Sequence, residues 1–398
     1  MKKVLIFGAG NIGRGFLGQL FNQSGYEIVF VDIFDKIVTE LNERKQYKLC
    51  IVSNNTSKEI IIDNVRAINA NDSDTVINEI NNTDLIATSV GVNALNKVAH
   101  LIADGIKKRV DTGNKNLLNI IICENLLSAG KILKQYLINY TGKNIYSDYI
   151  EKKVGFVETV VSRMIPPVPE EIRKIDPLIV YAEPYDILPV SKKGFKGIIP
   201  QIKGMIPYDN LNAYEEQKLF IHNLGHAITA YLGYLNGYTY IYESIGNKWI
   251  NSIVRAALNE SGTALNIKHN FSDQEQKQHI NDLINRFANK SLGDTVYRVG
   301  REPIRKLGPQ DRFIGAGKLC LKYKITPENI SLGTAACLLY NYRGDNQAIE
   351  LQNIIKKHGI EKVLTEICQL DSKNDFYKLI YQKYNFLLTK FKTYLTQK

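Results

Sequence analysis

Two stretches of the 398-residue chain hold residue types at spacings that could do chemistry. The first is Lys218-Leu219-Phe220-Ile221-His222-Asn223-Leu224-Gly225-His226, a Lys-x4-Asn-x2-His pattern on an apolar background. A lysine can take and return a proton if burial or a neighbouring positive charge lowers its pKa from about 10.4. An asparagine can donate a hydrogen bond to a reacting oxygen, and a histidine can orient either partner. On an α-helical wheel of about 100° per residue, Asn223 lies about 140° and His226 about 80° from Lys218. Such an arc lines a cleft or merely solvates a helix face, and spacing alone leaves both readings open.

The second stretch is Gly8-Ala9-Gly10-Asn11-Ile12-Gly13, a G-x-G-x-x-G run directly after the apolar segment Val4–Phe7. A helical pattern over Arg14–Gln23 follows it, and a second apolar run, Glu27–Val31, ends in Asp32. This order predicts a dinucleotide site. Gly8 makes the tight turn, Gly10 admits a pyrophosphate to the backbone, and Gly13 lets helix pack on strand. The phosphates then face a helix amino terminus, lined by Asn11 and Ile12. Asp32 accepts from ribose hydroxyls and repels a 2′-phosphate, which favours NAD over NADP. A glycine turn of this kind can also belong to a Rossmann-like fold that binds something else or nothing.

These residues need a scaffold, and the chain suggests one. Two further apolar runs, Leu85–Val90 and Asn119–Cys123, alternate with helical patterns and end in Gly91 and in Glu124-Asn125. Alternation of this kind predicts a parallel sheet of βαβ units with its ligands at the carboxyl ends of the strands. That places Val90 and Gly91 among the cofactor residues. Prolines crowd residues 150–200, which points to strands and turns there. Helical patterns follow over Tyr214–Tyr234, Trp249–Leu265, Asp273–Asn289, Pro327–Tyr342, Ala348–Gln369 and Asp375–Leu395. Asp273 and Asp375 stand as helix-start residues, and Gly262 suits a helix end or kink. The expected architecture is α/β, a Rossmann-type domain over residues 1–200 followed by a mostly α-helical domain over 201–398, with a cleft near the boundary.

Composition narrows the partners. Hydrophobic residues make up 44% and charged residues 23%, which excludes a disordered chain and a disulfide scaffold. Five scattered cysteines without a CxxC pair fit reduced thiols in the cytoplasm. Lys2-Lys3 precedes too short an apolar run for a signal peptide, and no stretch is long enough to span a membrane. The net charge of +11 comes from short, dispersed basic groups such as Lys107-Lys108-Arg109. This distribution argues for small anionic ligands over nucleic acid or membrane. No cysteine–histidine cluster suits zinc, so no metal is expected. Tyr149 and Lys153 match the Tyr-x3-Lys spacing of short-chain dehydrogenases, but chain length and glycine spacing do not.

The segment Lys218–Gly233 resembles the signature of the polyol-specific long-chain dehydrogenases, the mannitol dehydrogenase family. Phe7–Phe16, Ser89–Asn93, Cys123–Asn125 and Tyr297–Pro309 with Asp311-Arg312 extend the resemblance along nearly the whole chain. It implies NAD-dependent, metal-independent oxidation of a secondary alcohol, foremost D-mannitol 1-phosphate to D-fructose 6-phosphate. Lys218 would be the base and acid, Asn223 and Asn125 the oxygen donors, and His226 a positioning group. Arg163, Arg301, Arg305 and Lys306 would hold the substrate and its phosphate, Arg298 and Arg312 lying nearby. A monomer or homodimer is implied. The chain departs from the family where an acid usually precedes Arg163: Ser162 stands there, with Glu158 four residues earlier. That departure keeps hexuronate (fructuronate or tagaturonate) reduction and free-mannitol 2-dehydrogenation open. Outside enzymes, an NAD-binding sensor that kept the fold stays open too.

Overall fold

The computed structural model describes residues 2–54, 56–126, 128–142 and 144–392. The chain folds as two compact units, residues 1–211 and 212–398. The boundary falls eleven residues beyond the sequence expectation because residues 205–208 pair as a strand with 188–191 and so stay with the first unit.

Among the described residues, eleven strands build the first unit: β1 Lys3–Phe7, β2 Glu27–Asp32, β3 Tyr47–Val52, β4 Ser57–Ile62, β5 Val65–Asn69, β6 Leu85–Thr88, β7 Leu118–Ile122, β8 Val154–Glu158, β9 Val180–Ala182, β10 Leu188–Ser191 and β11 Met205–Tyr208. Six of them form one parallel sheet in the order β5-β2-β1-β6-β7-β8. This is the doubly wound Rossmann order, and its topological switch point lies between β1 and β6. Four of the six were legible as apolar runs. Near-continuous burial makes such runs: β1, β2, β6 and β7 have both faces covered. β5 and β8 escaped because each carries polar or glycine positions, Arg66 and Asn69 in one, Gly155 and Glu158 in the other. Two apolar layers sandwich the sheet, one around Phe16, Phe30 and Tyr47, the other around Ile80, Ile102 and Ile120. A smaller sheet, β4-β3-β9, and the β10–β11 pair complete the unit. The proline-rich region is thus largely strands and turns as expected, with a short α-helix, Glu170–Ile175, and a 3-10 turn, Lys192–Gly194, after the end of the helix Ile145–Lys153.

The basic run Lys107-Lys108-Arg109 reads as surface charge, and the fold corrects that reading for Arg109, which is fully buried. Its guanidinium donates to the carbonyls of Ile80, Asn81, Thr83 and Asn116, to the Tyr149 hydroxyl, and to Asp84. Most of these acceptors lie in the chain leaving the helix Ser73–Asn81, whose last carbonyls lack intrahelical partners. Tyr149, half of the short-chain-dehydrogenase-like spacing, is spent here as a strut: its hydroxyl also donates to the Asn116 carbonyl at 2.7 Å. Arg109→Met is expected to cost about 3 kcal/mol, since it strands several buried acceptors at once. Urea unfolding would measure it, and a loss below about 1 kcal/mol would contradict the strut.

The second unit is helical. Its hub is the helix Leu224–Leu235, in which every residue except His226 is buried. A helix apolar on all sides must be surrounded. Helices Ile241–Gly246, Lys248–His269, Val296–Gly300 and Glu328–Leu338 do so. Ser272 and Asn374 cap the helices that start at Asp273 and Asp375, which occupy the first turn. Gly262 sits neither at an end nor at a kink but buried inside Lys248–His269, where Gln276 packs across it. A kink lies instead at Gly359, φ 75°, within Asn346–Lys362. The expected helix end at Leu395 lies outside the described residues. No helix among the described residues is long and apolar enough to cross a membrane. All five cysteines are buried, and none forms a disulfide.

Candidate active site

In the first unit the glycine run turns at the end of β1 and enters a helix that opens with a π turn, Gly13–Leu17. Gly8 has φ +98°, and Gly13 packs so closely that a Cβ there would lie 1.9 Å from the Gly8 carbonyl oxygen. Both glycines are demanded by the protein itself. Gly10 is not: it is exposed, and a Cβ built on it meets no protein atom within 4 Å. A glycine that the fold does not require, at the mouth of a phosphate-type turn, fits a ligand that presses on the backbone, as a dinucleotide would. Asn11 and Ile12 follow at the start of the helix, exposed and half-buried.

Asp32, at the end of β2, is fixed towards this turn. Its Oδ2 accepts from the Ala9 amide at 2.7 Å and its Oδ1 from the Phe34 amide at 3.1 Å. Each carboxylate oxygen keeps a second lone pair for a ribose hydroxyl. Arg14, unnoticed in the sequence, is buried beneath the turn, donating to the carbonyls of Ala9 (2.6 Å) and Leu178. Val90 and Gly91 close the loop after β6, and both of their amides bond Glu124. Asn125 follows, exposed, beyond the end of β7.

One reading needs correcting. Arg163 is 4% exposed, and its guanidinium is used inside the unit, on the Glu183 carbonyl at 2.7 and 2.9 Å and on Gln19 Oε1 at 2.7 Å. It ties the proline-rich segment to the Rossmann core and is not an open phosphate ligand. Glu158, four residues before Ser162, accepts from the Gly130 amide at 3.0 Å in the first turn of the helix Ala129–Thr141.

In the second unit Lys218 and Asn223 bound a π turn, Lys218–Asn223, inserted between the α-helical segments Leu211–Gln217 and Leu224–Leu235. A π turn pairs residue i with i+5, which is the Lys218–Asn223 separation. The ideal α-helical wheel spread these two apart; the wider π turn narrows the angle between them. Burial, reinforced by the charge of Arg312 and opposed by Glu215, lowers the Lys218 pKa to about 8.

His226 stands one turn further on, its ring stacked on Phe287 with centroids 4.7 Å apart. Its Nε2 approaches Asp294 Oδ2 to 3.4 Å, an ion-pair distance without hydrogen-bond alignment. Burial lowers its pKa despite Asp294, so the imidazole is neutral near pH 7. His222 is buried against Phe287 and is driven well below the usual imidazole range by burial and then Arg286. Among the described residues no three His, Cys, Asp or Glu side chains group as metal ligands.

The basic cluster divides. Arg301 is exposed; Arg305 is held by Glu302 at 2.8 Å and Asp311 at 3.4 Å; Lys306 is 4% exposed and donates to the Arg301 carbonyl. Burial and then Arg312 lower Lys306 to about 7. Arg298 pairs with Asp294, and Arg312 with Asp311 at 2.8 Å. Sequence reasoning missed the reach of Arg312, which depresses both lysines, and of Asp294, which faces His226. Arg312 sits six residues beyond Lys306 in the motif, and only packing reveals which lysines it faces.

A parallel Rossmann sheet with a glycine turn at the end of its first strand, followed in the chain by a helical unit whose Lys218 has a lowered pKa, is the architecture of a nucleotide-dependent dehydrogenase. Residues 2–204 match the mannitol dehydrogenase Rossmann domain and residues 210–388 the mannitol dehydrogenase C-terminal domain. The chain belongs to the mannitol dehydrogenase family. Mannitol-1-phosphate 5-dehydrogenase of Thermoanaerobacter pseudethanolicus is 41% identical over 98% of this chain and 100% of its own length. That of Clostridium acetobutylicum is 42% identical over 96% and 98%. Among solved structures, Pseudomonas fluorescens mannitol 2-dehydrogenase, determined with NAD and D-mannitol, superposes with a TM-score of 0.75 at 16% identity, covering 100% of this chain and 95% of its own. A substrate-free D-sorbitol dehydrogenase reaches 0.80 at 16% identity, covering 96% and 91%. At that identity the two structures speak to fold.

Proposed function

We propose that this chain catalyses the reversible, NAD-dependent oxidation of D-mannitol 1-phosphate to D-fructose 6-phosphate. The observation that carries the reaction type is Lys218, a lysine whose pKa is lowered to about 8 on a π turn that ends at Asn223. At pH 7 about one such lysine in ten is neutral, against about one in 2,500 at the ordinary value. A sensor that merely bound NAD would have no use for that cost. The full-length likeness to two proteins named mannitol-1-phosphate 5-dehydrogenase supports the substrate.

On this reading Gly8, Gly10, Asn11, Ile12 and Gly13 hold the dinucleotide phosphates, Asp32 the adenosine ribose, and Val90 and Gly91 the loop beside it. NAD, when bound, supplies the hydride acceptor. Lys218 takes the hydroxyl proton on Nζ during oxidation and returns it during reduction. Asn223 and Asn125 donate to the oxygen that carries developing charge, and His226 orients the substrate. Arg301 is the foremost phosphate ligand of the basic group, joined by Arg305 if phosphate displaces Glu302 or Asp311. No catalytic metal is invoked. The protein works in the cytoplasm as a monomer or homodimer, on small anions and without nucleic acid.

The inward turn of Lys306 and the ion pairs of Arg305 favour one rival, a non-phosphorylated substrate such as free fructose or a hexuronate. NADH oxidation with fructose 6-phosphate, fructose, fructuronate and tagaturonate separates the two. A phosphate held by two charge-assisted bonds should raise kcat/KM by roughly 10²–10³ over free fructose, and Arg301→Ala should remove most of that preference. Equal rates with fructose and fructose 6-phosphate would refute the phosphate assignment.

A further inference from the structure

We propose that Glu124 is a positioning residue that locks the loop after β6 to the chain carrying Asn125, so that cofactor binding and donor placement depend on one carboxylate. The proposal rests on the NAD-dependent reading above. β6 and β7 are parallel neighbours, with Thr88 opposite Ile122, and both end at the same edge of the sheet. Glu124, two residues past β7, is 8% exposed. Its Oε1 accepts from the Val90 amide at 2.9 Å and its Oε2 from the Gly91 amide at 2.8 Å.

Two consecutive amides converge on one side chain only because the chain bends sharply at Gly91, φ +85°, before the helix Val92–Asp111. The other end of the loop is tied to β1: the Ser89 amide donates to the Phe7 carbonyl at 2.8 Å, and its hydroxyl reaches the Gly8 carbonyl at 3.3 Å. A continuous chain of contacts therefore runs from the glycine turn through Ser89, Val90, Gly91 and Glu124 to Asn125. It spans β1, β6 and β7 and so crosses the topological switch point between β1 and β6.

Only a carboxylate suits the position. It is acceptor-only and can face two donors at once, whereas the glutamine amide has one oxygen and would turn an N–H towards the second amide. The same carboxylate bonds the two amides that immediately precede the helix Val92–Asp111, on the side where the helix dipole favours negative charge.

The test compares wild type, Glu124→Gln, Glu124→Asp and Asn125→Ala by NADH fluorescence titration and by steady-state kinetics with fructose 6-phosphate. Loss of a charge-assisted contact in Glu124→Gln should raise the NADH Kd about tenfold and, at saturating substrates, lower kcat about tenfold. Asn125→Ala should lower kcat alone. Glu124→Asp keeps both acceptors on a shorter stem and should fall between wild type and Glu124→Gln in both readouts; it decides the matter if Glu124→Gln does not fold. Glu124 variants that lose thermal stability yet keep wild-type Kd and kcat would overturn the proposal, since the residue would then be structural only. A wild-type protein that fails to bind NADH would bring down the NAD reading itself, and this proposal with it.

Discussion

Lys218→Ala is expected to lower kcat by about 10²–10⁴-fold in both directions, the usual worth of a positioned general base, while leaving the NADH Kd unchanged. The sign of the pH dependence follows from the lowered pKa. Oxidation needs the neutral amine, so its kcat/KM rises with pH up to about 8 and then levels. Reduction needs the ammonium, so its rate falls above the same point. Lys218→Ala should flatten both profiles. Lys306, lowered to about 7, is the other group able to place a break in this range. Lys306→Met should retain the break near 8 and act on substrate KM instead. A wild-type oxidation profile that stays flat from neutral to alkaline pH, or full activity in Lys218→Ala, would remove Lys218 from the chemistry. Thermal stability should not suffer in Lys218→Ala, because an amine whose charged form is disfavoured by burial contributes little to the fold.

The second large effect separates two glycines three residues apart. Gly10→Val places its side chain where the protein has no atoms, so melting temperature should change little. The same side chain would occupy the approach of the dinucleotide, and the NADH Kd should rise by roughly 10- to 100-fold, the equivalent of a few kcal/mol of overpacking. Gly13→Ala has the opposite signature. A Cβ 1.9 Å from the Gly8 carbonyl forces helix and strand apart, so stability falls along with binding. Calorimetry and fluorescence titration on the two variants would show whether the effects separate. Equal NADH affinity in Gly10→Val and wild type would mean that no ligand uses the turn.

The cofactor half of the site was legible because its requirements are local. Gly8, Gly10, Gly13 and Asp32 lie within one βαβ unit, where strand, turn and helix follow each other along the chain. The candidate catalytic helix was legible in content but not in geometry. The Lys218–Asn223 spacing looks awkward on an α-helix, and only the π turn accounts for it. The basic residues were the least legible. Arg109 and Arg163 look like any surface cation in sequence, yet both are buried and bonded to carbonyls. Their environment comes from residues up to 144 positions away, on other elements.

The sequence by itself determined the α/β-then-helical order, the dinucleotide turn, the acid at the end of β2 and the identity of the candidate base. These depend on hydrophobic period, glycine sterics and residue type, which are properties of short windows. Tertiary structure alone decided which charges meet. It set Arg312 against Lys218 and Lys306, Asp294 against His226, and Glu124 against the amides of Val90 and Gly91. Proton affinity and hydrogen-bond partners are fixed by burial and by neighbours distant in the chain, and neither exists until the chain has folded.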